Sequence, residues 1–98
     1  MGIKPSVEIY LCAFHLGKWH ADESVEEAYH RALGITAAQF HRMQRDDDGA
    51  LQEKHTDAIH RMYEAAGVNL KTATEAEKTS LRTRLINEAR KGGMRLPA

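Results

Sequence analysis

Residues 24–45, SVEEAYHRALGITAAQFHRMQR, constrain the fold of this chain more than any other stretch. Ser24 and Thr36 are each followed three residues later by Glu27 and Gln39. That is the capping-box spacing, in which a hydroxyl and an acid or amide serve the free N–H groups that open a helix. Between the two starts stands Leu33-Gly34-Ile35, where one helix can stop on a glycine and the next begin. The stretch therefore predicts two short helices joined by a sharp turn, a format used by DNA-reading motifs and by plain helical bundles alike.

The remaining chain continues the helical pattern. A first helix is expected from Ser6, after Pro5, to about Trp19, with Val7, Tyr10, Leu11 and Phe14 on one apolar face. Gly17 falls inside it and can shorten it by a turn. In the second helix, Val25 to Leu33, the residues Val25, Ala28, Tyr29, Ala32 and Leu33 share a buried side. The third helix, Ala37 to Arg45, is expected to turn Ala37, Phe40 and Met43 inward and to end at the acidic run Asp46, Asp47, Asp48 before Gly49. A fourth, about Leu51 to Ala66, aligns Leu51, His55, Ala58, Ile59, Met62 and Ala66 and stops at Gly67. A fifth, capped by Thr72 or Thr74, carries Leu81, Leu85 and Ala89 with Ile86 alongside and ends at Gly92-Gly93. No segment alternates as a strand does. The fold class is all-α, a compact bundle of about five short helices with a helix-turn-helix at residues 24–45.

Ninety-eight residues make one modest core, and 42% hydrophobic residues suffice to fill it. Residues 1–70 form the expected helical domain, residues 71–93 a basic helix packed on it or used for oligomerisation, and residues 94–98 a loose tail. Net charge is zero but uneven: residues 1–70 carry seven Lys/Arg against eleven Asp/Glu, and residues 71–98 seven against three. The positive charge thus lies mostly outside the central motif. No window reaches the length of a membrane span, and the amino terminus lacks the pattern of a secretory signal. With one cysteine, Cys12, no internal disulfide can form, and a cytoplasmic location is expected.

From Val7 to about Val68 the layout resembles the Cro-like family of helix-turn-helix regulators. The resemblance rests on Tyr29, Leu33, Gly34, Ile35, Phe40 and Met43, on Leu33-Gly34-Ile35-Thr36 with Gln39 following, and on HTDAIHRMYEAAGV, residues 55–68, as the closing helix. It implies that the third helix enters the major groove of double-stranded DNA. Thr36, Gln39, His41, Arg42 and Arg45 would then face the nucleic acid, with Ala38 on the same exposed side. Arginine can pair bidentately with guanine and glutamine with adenine, while Thr36 and the helix start could hold a phosphate. Two-fold dimers are usual for such readers, so a homodimer is expected. The chain departs from the family pattern at three places. His30 stands where a small residue is preferred, Ala37 and Ala38 offer only apolar contact, and Asp46, Asp47 and Asp48 would lie close to the phosphates.

Other chemistry finds little support in the residues. Cys12 and His15 share a helix face, but none of the six histidines makes the i, i+4 pair of a zinc helix. Scattered surface histidines are the ordinary account, and no metal or cofactor is expected. No nucleophile–base pair or phosphate loop is recognisable, so an enzyme is not expected, and Cys12 reads as a small buried hydrophobe. Lys78, Arg82, Arg84, Arg90, Lys91 and Arg95 make the last helix and its tail basic, suited to phosphate contact or oligomerisation. Trp19 reads as a core anchor. The rival function is a helical protein-interaction module. One form is a phage or mobile-element inhibitor of the anti-CRISPR type, using Asp46, Asp47 and Asp48 against a basic channel of a larger protein or nucleoprotein complex.

Overall fold

The computed structural model describes residues 6–46 and 48–97, so Asp47 and the two chain ends lie outside the described residues. Among the described residues five helices follow in order: α1 (Val7–His15), α2 (Val25–Leu33), α3 (Ala37–Asp46), α4 (Ala50–Ala65) and α5 (Glu75–Lys91). No strand occurs among the described residues. No helix there is long and apolar enough to cross a membrane.

Side chains written into the sequence open these helices. The Ser6 hydroxyl accepts from the Ile9 N–H at 3.4 Å and Ser24 from Glu27 at 3.2 Å. At Thr36 and Thr74 the full reciprocal box forms: the hydroxyl accepts from the residue three positions on, and Gln39 or Glu77 reaches back to the cap N–H. Thr74, not Thr72, therefore starts α5. Between α3 and α4, Asp48 accepts from the Ala50 N–H at 3.1 Å, placing its carboxylate at the positive end of α4.

Three helices close in one way. After α2, α4 and α5 a glycine adopts the left-handed conformation: Gly34 (φ 74°), Gly67 (φ 94°) and Gly93 (φ 93°). The next N–H, from Ile35, Val68 or Met94, then returns to His30, Tyr63 or Ala89 at 2.9 to 3.2 Å. This Schellman arrangement throws the apolar residue after the glycine back toward the core. Met94 is consequently buried, 3% exposed, where a loose tail was expected.

The first helix is shorter than its apolar pattern suggests. It ends at His15 because the N–H groups of Leu16 and Gly17 both return to the Cys12 carbonyl, at 2.9 and 3.0 Å. Gly17 is buried against α2, and a Cβ there would overlap the Ala28 carbonyl oxygen. That close approach allows α1 to pack along α2, and α1 also touches α4 and α5. The core consists of Ile9, Leu11, Cys12 and Ala13 of α1, Ala28, Tyr29, Ala32 and Leu33 of α2, and Leu51, Ala58, Met62 and Tyr63 of α4. Phe40 of α3 and Leu81, Leu85 and Ala89 of α5 complete it with Met94. Trp19 is half-buried beside this core, and its indole N–H donates to the Glu23 carbonyl at 3.1 Å.

α3 is held differently. It buries only Phe40, while Met43 is half-buried and Ala37, expected to face inward, is exposed. α3 packs on α2 and α4, and Ala37, in its first turn, lies beyond what they cover.

Candidate nucleic-acid interface

Phe40 determines which side of α3 is free. Successive residues turn by about 100° in an α-helix, so Ala38, Arg42 and Arg45 lie opposite Phe40. All three are exposed, and neither arginine has an ion-pair partner among the described residues. The face therefore offers one methyl group and two guanidinium groups, spaced i, i+4, i+7 along one helix.

The other three residues expected on this face have local duties. Thr36 and Gln39 are tied to each other, with the Gln39 Oε1 accepting from the Thr36 N–H at 2.9 Å and the Thr36 hydroxyl accepting from the Gln39 N–H at 3.1 Å. This bond occupies the amide oxygen and fixes the helix start. His41 turns sideways toward α2, where its Nε2 lies 3.6 Å from Oε1 of Glu26.

The acidic run splits by position. Asp46 is exposed at the last turn of α3, Asp48 accepts from the first N–H of α4, and Asp47 lies outside the described residues. The basic character of α5 is largely spent on ion pairs: Arg82 with Glu8 of α1 at 2.9 Å, Lys78 with Glu75 at 3.1 Å and Arg84 with Glu88 at 3.4 Å. Arg90, Lys91 and Arg95 remain exposed, with no ion pair among the described residues.

Two of the six histidines are buried, which corrects the expectation that they are scattered over the surface. His55 meets the Tyr29 hydroxyl at 2.6 Å, and burial holds its imidazole below the usual histidine pKa. His30 lies under α3, with its ring centroid 4.5 Å from that of Phe40. Burial is again the leading cause of a lowered pKa there, opposed by the charge on Glu26. A local cue to both existed: His55 occupies the apolar stripe of its helix, and His30 stands where the helix-turn-helix pattern prefers a small residue. Only the packing of a second helix shows that the stripe is closed over.

Cys12 is fully buried, and its thiol is pushed up to about 12 by that burial. His15, which shares its helix face, brings Nε2 to 3.0 Å from the Leu85 carbonyl oxygen. Among the described residues no three His, Cys, Asp or Glu side chains are grouped to hold a metal ion. Comparison with protein-family models, curated proteins and solved structures finds no match.

Proposed function

We propose that this chain is a small, non-enzymatic DNA-binding regulator that reads duplex DNA with α3. One observation carries the reading: a short helix is anchored by a single aromatic side chain and turns Ala38, Arg42 and Arg45 outward together. The left-handed Gly34 and the burial of Tyr29, Leu33 and Phe40 support the helix-turn-helix spacing from which the reading began. In the major groove, Arg42 and Arg45 would pair with guanine edges or phosphates, and the Ala38 methyl would meet a thymine methyl. Thr36 and Gln39 position the helix start, with the amide nitrogen of Gln39 left for a base or phosphate. Asp48 has a structural task of its own, accepting from the Ala50 N–H where α4 begins.

Fluorescence anisotropy on a pool of duplexes at low salt tests this. The native protein should bind, with affinity falling as salt rises. A guanidinium that neutralises a phosphate contributes about 0.9 to the log–log salt slope, so Arg42→Ala and Arg45→Ala should each flatten it by about that amount. A guanidinium that instead reads guanine should cost about 1–3 kcal/mol at its preferred base. A native protein with no salt-dependent affinity for any duplex overturns the reading.

A further inference from the structure

His30 is 6% exposed, and its Nε2 is buried without a hydrogen-bond partner among the described residues. It lies beneath Phe40, the one side chain by which α3 enters the core. The nearest carboxylate oxygen, Oε1 of Glu26, is 3.8 Å away, too far for a hydrogen bond. That same oxygen also faces Nε2 of His41 on α3 at 3.6 Å, and the two imidazole centroids are 6.0 Å apart. We propose that this cluster makes the docking of α3 proton-sensitive, so that acidification loosens α3 from α2 before the rest of the core gives way.

The direction follows from which groups can compensate a charged His30. Glu26 and Glu27 on its own helix attract the imidazolium, and His41 on α3 repels it once both are protonated. α1 and α4 also pack on α2, but among the described residues their charged groups do not bear on His30; Glu8 of α1 bears on His55. Glu26 is more than half exposed, so water screens its attraction, whereas the Phe40 ring keeps water from the buried imidazole. Burial therefore outweighs attraction, and the charged form gains most by lifting Phe40. The response is local because α3 contributes one buried side chain to the core, whereas α1 contributes four. Elements with so few buried contacts open before the global unit does.

The inference itself rests on the contact between α2 and α3. Only its consequence, weaker duplex affinity in acid, rests on the DNA-reading proposal. Hydrogen exchange on the native chain without DNA separates the two. Corrected for intrinsic rates, protection of α3 amides should fall by about tenfold more than that of α1 and α5 between about pH 7.5 and about pH 5.5. In His30→Gln that difference should vanish, while His55→Gln should retain it. Equal loss of protection across α1, α3 and α5, or a difference that survives in His30→Gln, overturns the proposal. Should His30→Gln fail to fold, NMR titration of the native His30 ring decides: α3 amide shifts should share its midpoint, and separate midpoints overturn it.

Discussion

The Tyr29 hydroxyl and Nδ1 of His55 lie 2.6 Å apart inside the molecule and join α2 to α4 through a side-chain hydrogen bond. Burial raises the phenol's pKa and lowers the imidazole's, so both groups are neutral near pH 7. A protonated phenol can donate to a bare Nδ1, which satisfies two polar groups at once.

Breaking this pair from one side should be worse than removing it. Tyr29→Phe leaves Nδ1 buried without its partner and should destabilise the fold by about 1–3 kcal/mol. His55→Leu strands the hydroxyl and should cost a similar amount. The double variant should be more stable than the sum of the two losses predicts, as measured by urea unfolding in a double-mutant cycle. Strict additivity would mean that the bond carries no coupling.

Acid should weaken the whole fold as well as α3. His30 and His55 both have folded pKa values below the ordinary 6.5 of a histidine, with burial as the leading cause. The unfolded chain therefore takes up protons first as pH falls. Stability from these groups is fully present above about pH 6.5 and declines below it until the folded-state values are passed. Denaturant midpoints measured at a series of pH values should fall in that window, and replacing both histidines by glutamine should flatten the curve.

Two glycines should respond differently to alanine. Gly34→Ala forces a side chain into a left-handed conformation at φ 74°, with open space around it. The expected cost is about 1–2 kcal/mol. Gly17→Ala drives a methyl into the Ala28 carbonyl, where α1 meets α2. It should cost about 1–3 kcal/mol or more, and should exceed the Gly34 effect because backbone must move. Thermal denaturation of the two variants ranks them.

Met94→Ala tests the folded-back carboxyl terminus. The buried side chain should be worth about 2–5 kcal/mol, the range for truncating a buried methionine. A change below about 0.5 kcal/mol, as for an ordinary surface site, would show that the segment is not packed in solution.

Much of this was legible along the chain because caps and stops are local. A serine or threonine needs only the next three residues to open a helix, so the starts at Ser24 and Thr36 follow from spacing alone, and the last start was narrowed to Thr72 or Thr74. Gly34-Ile35, Gly67-Val68 and Gly93-Met94 share a left-handed stop with an apolar residue after it. The third instance carries the signal for Met94, although its place near the chain end reads as a frayed tail. The end of α1 was less legible. An apolar pattern running past His15 cannot show that the Gly17 backbone is needed against Ala28.

The candidate site divides along the same line. Arg42 and Arg45 were identifiable as exposed from their offset to Phe40, a property of one helix. That Gln39 and Thr36 engage each other was implicit in the box already read at that position. His41 facing Glu26, and His30 closed in beneath Phe40, depend on how α3 lies across α2. The sequence by itself determined the helices, most of their ends and most residues of each stripe, because those follow from spacing and hydrogen bonds within a few residues. Tertiary structure alone decided which polar groups lost their water, since that depends on surfaces brought together from distant parts of the chain.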